Sequence, residues 1–199
     1  MKRLYLVPTL VFALTTCGRE DAPAPGSGGA DTAAAPSTPS ASAPAAPTGP
    51  MTMPDWFQVD NDARTVHMTV TSGSTSVNNH WNFNGAINGQ LVINVPEGYT
   101  VTIDFINSDP NMAHSLGISP ETSSFAMPPA TTPVFEGAIS QNPGSMIDGT
   151  MPGESETVEF VAETAGNYSM VCYIPGHSAV GMWLYFNVTD GEAGVQGSV

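Results

Sequence analysis

The chain has 199 residues, 41% of them hydrophobic and only 11% charged, and 18 acidic residues against four lysines and arginines give a formal net charge of −14. So few cations cannot neutralise a phosphate backbone, which excludes a nucleic-acid binder. The length allows one good-sized core, under a surface that is weakly charged rather than strongly anionic.

Residues 1–16 read as a secretory signal: Lys2 and Arg3 are a short basic start, and "LYLVPTLVFAL" is an apolar run too short to span a bilayer and interrupted by Pro8. "LTTC" follows and resembles the lipobox of bacterial lipoproteins, with Thr16 where Gly or Ala is usual, so Cys17 is expected to carry lipid and anchor the chain to a membrane. The stretch 17–50 is almost all Ala, Pro, Ser, Thr, Gly and Asp. It has too little apolar surface to offset the entropy of ordering and reads as a tether.

Residues 51–199 form the expected head domain. Period-two or β-branched runs recur at 64–72, 89–95, 99–108, 156–163, 166–173 and 181–188, separated by turns such as "VPEG", "SDPN" and "ETAG". No stretch carries a helical stripe of three turns. The expectation is all-β: an antiparallel or mixed Greek-key β-sandwich. The long segment 119–155, rich in Pro, Gly, Met and Thr, breaks the rhythm, with only "PVFEGA" looking strand-like. Its place between His114 and Cys172 makes it a candidate wall or lid.

The chemistry sits in "CYIPGHSAVGM", where Cys172, His177 and Met182 follow one another at steps of five. With Cys17 in the leader, Cys172 has no disulfide partner. Thiolate, imidazole and thioether together select copper. A trigonal blue-copper site needs a second histidine, and His67, His80 and His114 are the candidates. His114, straight after the turn in "DPNMAHSLGI", is best placed; His67 within a strand and His80 in "NNHW" read as surface or packing residues. Met112, Met127, Met146, Met151 and Met170 are too scattered for a copper-carrier cluster and read as gap fillers.

"CYIPGHSAVGM" resembles the ligand loop of mononuclear cupredoxins, nearest the sulfocyanin and rusticyanin group, and "WNFNGAINGQLVINVPEGYTVTIDFINSDPNMAHSLGI" resembles the first half of sulfocyanins. The resemblance implies one type 1 copper with His114, Cys172 and His177 as equatorial ligands and Met182 as the axial one. It also implies a hydrogen bond from the Ile174 N–H to the Cys172 sulfur, and Ser115 following the first ligand as in rusticyanins. Met112, Leu116, Ile174, Val180 and Trp183 are expected to keep water out and raise the reduction potential. The edge of His177 is expected to emerge through an apolar patch that meets partners.

The function that follows is single-electron shuttling by an exported, membrane-anchored monomer between redox proteins such as cytochromes or a terminal oxidase, and not enzymic turnover. No His-Cys-His or second-cysteine motif marks a multicopper or binuclear centre. A copper carrier is the alternative.

Overall fold

The computed structural model describes residues 45–122, 125 and 129–197. The expected signal 1–16, Cys17 and most of the 17–50 tether lie outside the described residues; 45–50 have no strand or helix. No helix among the described residues is long and apolar enough to cross a membrane.

Among the described residues nine strands build two sheets: β1 (Phe57–Asp60), β2 (Thr65–Ser72), β3 (Leu91–Pro96), β4 (Thr100–Asn107), β5 (Gly117–Pro120), β6 (Ser155–Val161), β7 (Gly166–Val171), β8 (Trp183–Thr189) and β9 (Gly194–Gly197). One sheet runs β1-β2-β4-β6 and the other β5-β7-β8-β3-β9. The β2–β4 and β3–β8 pairs are parallel and the rest antiparallel, so the sandwich is mixed. All six expected runs are strands. The four-residue β1, β5 and β9 were not expected, and each is near the lower limit for a strand.

Alternation explains the core. In β4 every second residue is buried, and Val101, Ile103 and Phe105 meet Val66, Met68 and Val70 of β2 on the inner face. The β7–β8 end is buried on both faces. Met170, Cys172, Ile174, Met182, Leu184 and Phe186 point into the main core, whereas Val171, Tyr173, Trp183 and Tyr185 form a second cluster with Val92 and Phe125.

"PVFEGA" is not a strand. It forms a turn in which Gly137 takes φ +83 and Phe135 turns inward to stack on Phe160 at 5.6 Å. Later in the same segment, Thr150 exchanges both backbone hydrogen bonds with His114, at 3.0 and 3.1 Å. The Ser140 hydroxyl accepts the Leu116 N–H. This part of 119–155 is therefore a wall behind His114.

Candidate metal centre

Three elements converge at one end of the sandwich. The turn after β4 carries His114, the end of β7 runs into Cys172, and the loop before β8 supplies His177. Short backbone bonds close that loop: His177 N–H to the Ile174 carbonyl at 3.1 Å, Met182 N–H to the His177 carbonyl at 3.0 Å, and Cys172 N–H to the Met182 carbonyl at 3.2 Å. Gly176, at φ +89, makes the turn that lets His177 fold back towards the sulfur.

The result is a compact donor set. Cys172 Sγ lies 3.6 Å from His177 Nδ1 and 3.9 Å from His114 Nδ1, and the two Nδ1 atoms are 3.2 Å apart. All three side chains are at most 1% exposed. Met182 is fully buried in the same core cluster as Cys172, with its backbone bonded to both Cys172 and His177.

The surroundings orient these donors. Asp109 Oδ2 lies 2.8 Å from His114 Nε2, which places the ring proton on Nε2 and leaves the Nδ1 lone pair facing the sulfur. Asp109 is itself held by the N–H groups of Asn111 and Met112 on Oδ1. Burial pushes its carboxyl up, but these bonds and His114 outweigh burial and leave it below the usual range. Three donors address the Cys172 sulfur: the N–H groups of Ile174 and Ser115, and the Ser115 hydroxyl at 3.7 Å. Because the Ser115 oxygen accepts the Tyr173 N–H at 2.8 Å, its own proton is free to point at sulfur.

Titration follows from this dryness. Burial pushes the Cys172 thiol up to about 11, against the pull of Ile174 and Ser115. Burial, reinforced by His114, lowers His177 to about 3. Burial also lowers His114, with Asp109 opposing and the charge of His80 assisting. Two unprotonated imidazoles beside a thiol that needs a cation to ionise fit a soft metal ion. Copper is the ion that this donor set selects.

Four expectations change. His177 does not present its edge to solvent: it is 1% exposed, and Trp81 stacks on a face of its ring, with centroids 3.9 Å apart and planes 16° from parallel. Val180 is half exposed and Met112 only partly buried, so neither seals the site, although Leu116 and Ile174 do. Trp183 points to the far side of its sheet, as alternation from Met182 requires. His67 pairs with Asp104 at the surface, away from the donors. His80 stands outside the donor set, although its charge reaches His114. Asp109 and Trp81 were missed by sequence reasoning. An Asx turn five residues before His114 was a usable signal for the first, and a lone tryptophan in a polar loop was a weak one for the second.

Two imidazoles and a cysteine sulfur buried at one end of a mixed β-sandwich define a cupredoxin, the class of mononuclear blue-copper proteins. The chain belongs to the sulfocyanin family, since the family model described as "Sulfocyanin (SoxE) domain" matches residues 54–193. It is 34% identical over 125 residues to sulfocyanin from Sulfolobus acidocaldarius, covering 60% of this chain and 61% of that one. To a rusticyanin from Acidithiobacillus ferrooxidans it is 38% identical over 93 residues, covering 46% and 56%. The chain thus spans less than two thirds of these curated relatives. A solved structure of rusticyanin from Thiobacillus ferrooxidans is 26% identical, covers 68% of this chain and 87% of its own, and gives a TM-score of 0.42.

Proposed function

We propose that this chain is a type 1 copper electron-transfer protein, with His114, Cys172 and His177 as the strong ligands and Met182 as the axial one. The observation that carries the reading is the convergence of two Nδ1 atoms and one Sγ, all buried, with His114 oriented by Asp109 and the sulfur faced by Ile174 and Ser115. Copper held there supplies a one-electron couple. The chain's part is to hold the donors rigidly, so that little moves when charge changes, and to keep water out. A sealed, prearranged site suits electron transfer better than the exchange-ready site of a copper carrier.

Partners are proposed to be redox proteins such as cytochromes or a terminal oxidase, met through weak and transient contacts. The loops 73–90 and 173–182 carry no Asp, Glu, Lys or Arg, and Val77 and Val180 are 46% and 50% exposed on them. An uncharged, partly apolar end suits brief docking, while the acidic residues lie on other loops and strands. Export, a lipid on Cys17, attachment to the outer face of a membrane and a monomeric state complete the proposal, resting on "LTTC" and the basic and apolar start. The test is to load the protein with Cu(II). An intense visible band that ascorbate bleaches, with electrons passed on to an added cytochrome, supports electron transfer. A colourless protein that binds only Cu(I) supports a carrier.

A further inference from the structure

We propose that Trp81 is the positioning residue for His177, an indole lid that fixes the imidazole plane from outside and closes the metal site to water. The inference rests on the copper-site reading above and adds a role for a residue outside the ligand loop.

The two histidines are held by different means. His114 is gripped at Nε2 by Asp109, a bond that sets both tautomer and direction. His177 is held by a flat face: Trp81 stacks on it at 3.9 Å and 16°, while His114 leans on it at 4.9 Å and 59°. A stack of this kind opposes tilting of the ring but leaves the in-plane Nδ1 lone pair aimed at the donor cluster. Since His177 is 1% exposed and Trp81 is partly exposed, the indole stands between imidazole and solvent.

The loop that carries Trp81 is built to place it. Asn78, Asn79 and His80 occupy left-handed backbone conformations in succession, at φ 52, 57 and 67. Asparagine and histidine both visit that region more readily than most residues, yet three in succession is uncommon; such runs persist only where the surroundings over-determine them. The Asn78 side chain donates to the Trp81 carbonyl at 2.9 Å. Beneath, the fully buried Asn82 donates to the carbonyls of Thr75 and Val77, both at 2.9 Å, and accepts the Gly85 N–H. The loop is also stitched to the ligand loop, through Asn88 N–H to the Gly181 carbonyl at 2.8 Å and Gly89 N–H to the Trp183 carbonyl at 3.0 Å. A tryptophan that merely covered surface would need none of this. The Trp81 Nε1–H is buried without a hydrogen-bond partner among the described residues, so the stack on His177 and not a polar bond from the indole is what relates the two rings.

The test uses the full chain carrying Cys17→Ser, so that Cys172 is the only thiol, with Trp81→Ala, Trp81→Leu and Trp81→Phe added singly. In the copper-free proteins at one fixed pH, the rate at which dithionitrobenzoate modifies Cys172 reads access to the site. Trp81→Ala and Trp81→Leu should raise it by up to about tenfold, the upper worth of one aromatic stack, and Trp81→Phe should restore protection to within about threefold of the parent. Loss of copper to a chelator from the loaded proteins should follow the same order. Parent-like rates in cooperatively folded Ala or Leu variants would overturn the lid, as would exposure in the Phe variant equal to that of Ala. Failure of both Ala and Leu variants to fold would make Trp81 a packing residue and overturn it too. If the thiol order holds while the parent binds no copper, the copper reading fails and the lid stands.

Discussion

Asp109 Oδ2 meets His114 Nε2 at 2.8 Å, with side chains 2% and 0% exposed. A carboxylate in that position makes the imidazole a stronger donor and favours the more highly charged Cu(II) state. Replacing Asp109 by Asn keeps an oxygen for the Asn111 and Met112 N–H groups and removes the charge. Cu(II) affinity should fall about tenfold to a hundredfold, the usual cost of losing such a partner, and the reduction potential should rise. Titration with Cu(II) and voltammetry check both; unchanged values would reduce Asp109 to a turn residue.

How much of this site was legible differs residue by residue. Cys172 and His177 lie in one short loop, so their spacing and donor chemistry carried them; Met182 shares that loop, and its axial role is proposed. His114 was found because a turn precedes it and an apolar run follows. Trp81 was not, because its contact with His177 is made by two loops far apart in the chain and no local pattern encodes it. The misplacement of Trp183 was avoidable: if Met182 and Leu184 face the core, the residue between them cannot. Fold class followed from period-two runs, but β5 and β9 are short and contain glycine, leaving little alternation to read.

Ser115 tests the sulfur. Its hydroxyl both accepts the Tyr173 N–H and faces Cys172 Sγ. Ser115→Ala should lower the potential, because the hydroxyl draws charge from the thiolate and so favours Cu(I). It should also cost about 1–3 kcal/mol of stability, since the buried Tyr173 N–H loses its acceptor. Urea unfolding and voltammetry measure the two effects separately. A potential that rises would reverse the role given to the hydroxyl.

Proton release on copper binding follows from the dry site. In the copper-free protein the Cys172 thiol, at about 11, keeps its proton at neutral pH, while His177, at about 3, has already lost its own. Copper binding at pH 7 should therefore release about one proton per ion, and apparent affinity should rise about tenfold per pH unit until the thiol ionises. Calorimetry in buffers of different ionisation enthalpy counts the protons; zero, or two or more, would contradict the assignment.

The same shifts set the stability of the copper-free protein. An unfolded histidine takes up a proton below about pH 6.5, which folded His177 resists until about 3, so acid favours the unfolded chain across that window. Stability should fall by up to about 1.4 kcal/mol per pH unit from this one group. At the alkaline end, the unfolded thiol ionises from pH 9 and the folded one only near 11, so stability should fall again as pH rises between them. Copper holds both donors unprotonated and displaces the thiol proton. It should therefore steepen the acid slope by about one further proton, about 1.4 kcal/mol per pH unit, and flatten the alkaline one. Equal slopes with and without copper would contradict this.

Met182 tests the axial position. Met182→Gln brings a harder oxygen donor and should lower the potential; Met182→Leu keeps volume and dryness while removing the donor, and should raise it. A shift of about 59 mV is a tenfold change for a one-electron couple, so both are within reach of voltammetry. Movement in the same direction, or none, would make Met182 core packing.

The most direct measurement is the visible and electron paramagnetic resonance spectrum of the Cu(II)-loaded protein, taken beside Cys172→Ser. A type 1 centre built on Cys172 gives an intense sulfur-to-copper band and a narrow copper hyperfine pattern, both bleached by ascorbate. Both should vanish in Cys172→Ser and survive His67→Gln and His80→Gln. A loaded protein without that band, or a Cys172→Ser variant that keeps it, would contradict the copper assignment.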